Sequence, residues 1–411
     1  MGTRTHRQDL TTLTLQRNVQ FLYEEQIARF ELAALGCERI TKNDEDWRLF
    51  SAHVNGNAQL INERAAYTGA IDGESTIYAR LIQPNYQGGH FNRTRSVNQY
   101  LTHWIYPYRG KFHPQMVRGL LNILGVTRGH TVCDPYLGSG TTAVEASLLG
   151  ANVIGVDISP LCVLLTKVKT QAWTRVEAIR ECVQQLLTHS PLTVAFKRSP
   201  RGADPLVTEF LEVAKLVTAS DVARRSREEE SSLRRNLASM LESVEAYAEA
   251  VKQFKLRPGF VEAQLGDCRD LAAAGVRSAS VDAIVTSPPY SIALDYVKND
   301  DHALKAMGTD IKALRSQMTG VRGRGAKEKL ALYNEDMRLM FAEASRVLKR
   351  GAAAAFVIGD ATVDGREVTT TTTMGEWAES TGLRLERSIP KIVFGLYNVM
   401  QDERILVFRK P

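Results

Sequence analysis

The stretch Thr131-Val132-Cys133-Asp134-Pro135-Tyr136-Leu137-Gly138-Ser139-Gly140-Thr141-Thr142 restricts the folds open to this chain more than any other. An apolar run enters a turn with two glycines, and a helix is expected from Ala143 to Leu149. Glycines at such a turn let a ligand approach the backbone, and the first turn of the helix offers unpaired amides. A second apolar run, Asn152-Val153-Ile154-Gly155-Val156, ends at Asp157. Together these outline a βαβ unit whose terminal acid is placed to accept hydrogen bonds from ribose hydroxyls. The turn reads D-P-Y-x-G-S-G-T-T rather than the G-x-G-x-x-G of nicotinamide dehydrogenases. Asp134 at its start suits a ligand with a cationic amino group and would repel a pyrophosphate.

Two further strand tips follow the same plan. Glu262-Ala263-Gln264-Leu265 leads to Gly266-Asp267-Cys268-Arg269, where a carboxylate could accept from an exocyclic amine. Ser280-Val281-Asp282-Ala283-Ile284 leads to Val285-Thr286-Ser287-Pro288-Pro289-Tyr290, and two prolines cannot continue a central ladder. Right-handed crossovers bring all four tips to one edge of a parallel sheet, the edge where such sheets bind ligands. A short polar side chain, a rigid Pro-Pro corner and a ring suit the presentation of an acceptor and a flat face to a planar, amine-bearing base. Taken alone, Pro-Pro-Tyr would read as a surface turn.

The remainder of the 411 residues allows one large α/β domain with additions, or two domains. Residues 1–92 read as a helical extension, from the spacing of Val19, Phe21, Leu22, Ile27, Phe30, Leu32 and Leu35 ahead of Gly36, and as a possible surface for substrate recognition. From residue 93 a single catalytic domain is expected to run to residue 411. Basic residues alternate with aromatic ones in His90-Phe91-Asn92-Arg93-Thr94-Arg95 and in Tyr106 to Pro114, a texture suited to nucleic acid. Pro114 then opens an amphipathic helix, Met116 to Leu124.

Between Asp157 and Asp267 lie about 70 residues more than a compact crossover needs. They read as a helical insertion over residues 185–255, preceded by a helix from Val176 to Leu187. Met240, Leu241, Val244, Tyr247 and Val251 form its apolar face, and the mixed charges of Ala223 to Glu230 read as a solvated arm. After the Pro-Pro corner, Arg315, Arg322, Arg324 and Lys327 surround glycines and read as a cationic loop for phosphate contacts. The chain should close with a helix from Asn334 to Leu348, a strand from Ala352 to Ile358, a helix containing Trp377 capped by Thr369 to Thr373, and an antiparallel pair, Ser388 to Phe394 and Arg404 to Phe408.

Net charge is +6, compatible with a polyanionic partner. The five cysteines, at 37, 133, 162, 182 and 268, show no C-x-x-C spacing, so neither a zinc site nor a disulfide framework is expected. No apolar run is long enough to span a bilayer, and Arg4, Arg7 and Asp9 stand where a signal peptide would be apolar. A soluble, cytoplasmic protein is the expectation, with no membrane partner and with oligomeric state undetermined.

These motifs resemble the S-adenosylmethionine-dependent DNA amino-methyltransferases, which methylate exocyclic nitrogens of cytosine or adenine. The resemblance covers roughly residues 95–411 and implies a Rossmann-like α/β methyltransferase sheet. It implies S-adenosylmethionine as cofactor, held by Phe112, Asp134, Pro135, Tyr136, Gly138, Ser139, Gly140, Thr141, Asp157, Ile158, Asp267 and Cys268. It implies catalysis by Ser287, Pro288, Pro289 and Tyr290 without a metal, and DNA contacts by Arg315, Arg322, Arg324 and Lys327. Serine at the first position of the loop, with threonine before it, resembles the N4-cytosine branch more than the N6-adenine branch, where Asp or Asn is usual. The chain contains no Pro-Cys dipeptide, so the covalent route of C5-cytosine enzymes has no nucleophile in its expected setting. The expected partner is double-stranded DNA, with a cognate restriction endonuclease as a further candidate. Rival expectations are an N6-adenine enzyme, an RNA amino-methyltransferase, and a non-enzymatic subunit that only recognises nucleic acid.

Overall fold

The structure is a computed structural model describing residues 10–82, 97–198, 204–290, 295–363, 366–368, 370–394 and 400–411. The basic-aromatic run His90 to Arg95, the N-terminal Arg4, Arg7 and Asp9, and Thr369 lie outside the described residues. The chain divides into two compact units, residues 1–100 with 113–127, and residues 101–112 with 128–411.

The first unit runs β1 (Thr11–Leu15), α1 (Leu22–Ala34), β2 (Glu38–Lys42), β3 (Leu49–His53), α2 (Ala58–Arg64), β4 (Thr68–Ile71), β5 (Glu74–Ser75), α3 (Ile77–Ile82) and α4 (Pro114–Ile123). Its five strands form an antiparallel sheet in the order β2-β3-β1-β4-β5. The first four strands and two helices follow the β-α-β-β-α-β plan of a split βαβ motif. The expected helical extension is therefore corrected to an α/β unit, and α4 moves the boundary beyond residue 92. The strands escape a periodicity search because they are at most five residues long, and only alternate positions such as Leu13, Leu15, Phe50 and Ala52 are buried. A buried glutamate organises this core: Glu31 accepts from the Ala66 and Tyr67 amides at 2.8 and 3.0 Å and from Asn122 of α4 at 2.7 Å. Those bonds compensate a group that would otherwise be costly to bury.

The second unit begins with β6 (Thr131–Asp134), α5 (Thr141–Leu148), β7 (Asn152–Asp157) and α6 (Pro160–Gln171). Four helices follow, α7 (Val176–Leu187), α8 (Leu192–Arg198), α9 (Pro205–Arg225) and α10 (Glu229–Gln253). Next come β8 (Val261–Leu265), β9 (Val281–Thr286), three short helices α11 (Tyr296–Asn299), α12 (Asp301–Ala306) and α13 (Ile311–Gln317), and the long α14 (Gly325–Val347). The unit ends with β10 (Leu348–Gly359), a small hairpin of β11 (Ala361–Val363) and β12 (Arg366–Val368), α15 (Thr370–Ser380), β13 (Arg384–Phe394) and β14 (Met400–Arg409). The main sheet has the order β13-β14-β10-β9-β6-β7-β8, parallel from β8 to β10, with β14 and β13 antiparallel at the far side. This is an open, doubly wound, Rossmann-like sheet.

Chain order reverses between β6 and β9, which pair in parallel through Val132 with Ala283 and Cys133 with Ile284. In such sheets the crevice beyond that switch point is where ligands bind. The helical insertion begins at Val176 and ends at Gln253, with Met240, Leu241, Val244 and Tyr247 of α10 buried. All but Tyr247 share a cluster with Phe210, Leu216 and Ile179. The amide of Thr371 in α15 donates to Asp360 at 2.9 Å, so a carboxylate takes up part of the capping expected of the threonine run. All five cysteines are free thiols. Among the described residues, no helix is long and apolar enough to cross a membrane, and no group of three or more His, Cys, Asp or Glu could hold a metal ion.

Candidate active site

The loops after β6 and β9 emerge side by side from the switch point. Asp134 ends β6 and is buried; its Oδ1 accepts from the Thr286 hydroxyl at 2.7 Å and from the Tyr136 amide at 3.2 Å. Burial pushes its carboxyl up to about 7, against the lowering effect of those bonds. A carboxylate this costly to ionise gains most from a cation beside it. The turn then tightens at Gly140, whose φ of +76° favours glycine and where a Cβ would stand 2.4 Å from Thr166 Oγ1. Helix α5 starts at the next residue, and its first two residues, Thr141 and Thr142, line the crevice.

Asp157 closes β7, and its two oxygens accept from the amides of Gly138 at 2.8 Å and Ser159 at 2.9 Å. Burial raises its carboxyl as well. One residue thus ties the glycine turn to the end of the second strand, while each oxygen keeps a lone pair for a hydroxyl. Asp267, after β8, is gripped by Arg269 through Nε at 2.9 Å and through Nη2, and these bonds outweigh burial to hold its carboxyl below the usual range. Arg269 also donates to buried Asp336 at 2.8 Å and to the Gln317 carbonyl at 3.2 Å. It therefore braces the wall formed by Gln317, Met318 and Thr319.

The loop after β9 is held from several directions. Ser287 donates its hydroxyl to the Val357 carbonyl of β10 at 3.0 Å. The Tyr333 phenol of α14 donates to the Pro289 carbonyl at 3.0 Å. The Tyr290 ring lies over Gly359, where a Cβ would be 2.9 Å from Cε2. Opposite stand Tyr108 and Tyr296, stacked at 6.1 Å with an interplanar angle of 12°.

A single crevice joins these parts. Its lining includes Phe112, Asp134, Pro135, Tyr136, Gly138, Ser139, Thr141, Asp157, Ile158, Asp267 and Cys268, together with Ser287 and Pro289. Of the other candidates, Gly140 shapes the turn, while Pro288 and Tyr290 flank the lining residues. The four basic candidates are set differently. Arg315 pairs with Asp295 at 2.7 Å, and Arg322 pairs with buried Asp336. Arg324 occupies the N-cap position of α14, its amide donating to Glu328 at 2.6 Å, and Lys327 lies in the first turn, both exposed. Sequence reasoning missed Thr286 as the partner of Asp134 and Tyr333 as the partner of Pro289. The first could have been suspected from its place beside the Ser-Pro-Pro corner; the second carries no local signal.

Part of the sequence that builds this arrangement is similar to known proteins. Residues 82–167 match a family model described as DNA methylase, N6/N4 type. A Type II methyltransferase, M.MjaII of Methanocaldococcus jannaschii, is 45% identical over 71 residues, which are 17% of this chain and 13% of that protein. The Type II methyltransferase M.BsoBI of Geobacillus stearothermophilus is 44% identical over 64 residues, 16% and 12% of the two chains. Over these residues the chain is similar to the N6/N4 amino-methyltransferases. A tRNA (guanine(10)-N2)-dimethyltransferase of Methanothermobacter thermautotrophicus is 30% identical over 136 residues, 30% of this chain and 39% of that one. The aligned stretches span less than half the length of each of these relatives.

S-adenosylmethionine is the expected cofactor, and the crevice fits it. Asp134 offers a buried carboxylate for the ammonium, Asp157 offers acceptors for the ribose diol, and Asp267 with Cys268 and Tyr136 lines an end suited to the adenine.

Proposed function

We propose that this chain methylates an exocyclic amino nitrogen of a base in double-stranded DNA, with N4 of cytosine as the acceptor. The observation that carries the reading is the Ser287 hydroxyl, which spends its only proton on the Val357 carbonyl at 3.0 Å. With that proton spent its oxygen is left as an acceptor on a residue that lines the crevice, with the Tyr290 phenol also within reach of it. A cytosine amine is a weak nucleophile because its lone pair is delocalised into the ring. Ser287 Oγ and the Pro288 carbonyl take its two hydrogens and favour a more tetrahedral nitrogen. Tyr290 provides a ring for a base that has left the duplex.

Bound S-adenosylmethionine supplies an electrophilic methyl group on its sulfonium. Asp134 at its ammonium and Asp157 at its ribose orient that donor on either side of the sulfonium, so the nitrogen and the methyl meet already aligned. The nitrogen sheds one proton after the new bond forms, and the neutral acceptors around it let that proton pass to solvent.

The assay is transfer of labelled methyl to duplex DNA, followed by hydrolysis and mass analysis of the bases. N4-methylcytosine as product, formed about a hundredfold or more slowly by Ser287→Ala, is the expected outcome. N6-methyladenine would move the chain to the other branch of the family, and the absence of any labelled base would sink the reading. A second reading, transfer to a guanine amine of RNA, is favoured by the 136-residue match to the tRNA enzyme. Label appearing in tRNA and not in DNA decides for it.

A further inference from the structure

The Ser287-Pro288-Pro289-Tyr290 corner has an unusual problem of support. Its two prolines have no amide hydrogen, so neither can be tied to the sheet by a donor of its own. Their carbonyls are the remaining handles. In the reading above, the first of these, on Pro288, is reserved for the amine. The second, on Pro289, accepts from the Tyr333 phenol at 3.0 Å. Tyr333 lies on α14, 44 positions away in sequence and fully buried. Burial, with Asp336 adding to it, raises the phenol far above its ordinary range, so it remains a donor at every working pH.

The torsions show what this bond controls. The pyrrolidine ring locks φ of Pro289, leaving its ψ as the free rotation between the two prolines and Tyr290. The Pro289 carbonyl is the atom group that this rotation swings. Holding that carbonyl therefore sets the angle between the acceptors at Ser287 and Pro288 and the ring of Tyr290. Gly359 leaves space for the ring on the far side, so the ring has room to settle at the angle imposed.

We propose that Tyr333 is a positioning residue for methyl transfer, fixing the geometry of the Pro-Pro corner from outside the crevice. The inference rests on the amine-transfer reading. Tyr333 is not among the residues lining the crevice, and it touches neither cofactor nor base in this reading.

Tyr333→Phe tests it in the full-length chain, since it removes the hydroxyl and keeps the ring in the core. The expected result is a fall in kcat of about tenfold, the size of one lost hydrogen bond at a site that needs alignment. KM for S-adenosylmethionine and the thermal unfolding midpoint should stay close to those of the parent. A general loosening of the core would instead lower the midpoint and raise KM together with the loss of rate, and that pattern overturns the proposal. So does an unchanged kcat in a variant whose parent is active. A parent that transfers no methyl group to any nucleic acid overturns the functional reading and this inference with it, an outcome distinct from the other two.

Discussion

The hydrogen bond from Thr286 to Asp134 joins the proposed cofactor end of the crevice to the proposed catalytic loop, and Thr286→Val isolates it. The replacement keeps the volume and removes the donor at 2.7 Å. A hydrogen bond to a charged group contributes about 1.5–3 kcal/mol, which corresponds to roughly 1–2 pKa units. Asp134, already pushed up to about 7 by burial, would then titrate near 8 to 9. At pH 7.5 the ionised fraction would fall from about three-quarters to between a quarter and a few per cent. If the cofactor ammonium binds only the ionised form, its affinity drops about 3- to 25-fold at that pH.

Calorimetric titration of S-adenosylmethionine from pH 6 to 9.5 checks this. The parent should bind more tightly as pH rises through about 7, and the variant should show the same rise displaced to higher pH. Stability moves in the opposite sense. The folded-state pKa lies above the unfolded value, so between about pH 4 and 7 the folded chain holds a proton that the unfolded chain has released, and stability falls as pH rises across that window. In Thr286→Val the window should extend upward to pH 8 or 9. Superimposable affinity profiles for parent and variant would refute Asp134 as the ammonium's partner and Thr286 as its support.

Ser287→Ala should lower kcat about 10²- to 10³-fold, the usual consequence of losing one preorganised hydrogen-bonding group, with cofactor affinity unchanged by calorimetry. Arg322→Ala should cost about 1.5–3 kcal/mol in denaturant unfolding, because it strips one partner from buried Asp336. If Arg324 and Lys327 meet phosphates, their double replacement by Ala should reduce the slope of log K against log salt by about 2 without lowering stability. An unchanged slope removes this loop from the DNA interface. Gly359→Ala puts a methyl 2.9 Å from Tyr290 Cε2 and should slow methyl transfer while leaving cofactor binding intact. Full activity in that variant would detach the Tyr290 ring angle from catalysis.

What the sequence disclosed and what it hid follow from how tightly chemistry constrains residue type. In the proposed reading Asp134, Asp157 and Asp267 stand at strand tips where an ammonium, a diol and an amine would each want an oxygen acceptor, and strand ends are marked locally by apolar runs. The same holds for Ser287 and the two prolines. The first unit was illegible as a sheet because its strands are short and edge-exposed: β2 buries none of its five residues, so no alternation advertises it. Arg322 and Arg324 looked alike as members of one basic loop, yet the first is bound to Asp336 while the second stands exposed at the start of a helix. Distinguishing them requires knowing that a buried carboxylate from α14 lies beneath the loop.

Tyr333 is the limiting case. Any buried donor at the right place could hold the Pro289 carbonyl, so neither its identity nor its position is dictated by a pattern within reach of Ser287. The reacting groups of this site are written in residues whose type the ligand demands, whereas the groups that aim them are chosen by packing between elements distant in the chain. Thr286 lies between the two cases: adjacent to the corner in sequence, but bonded to a carboxylate 152 positions earlier. Its effect on cofactor affinity would therefore show whether the loop that holds the amine and the turn that holds the donor act as one preorganised unit.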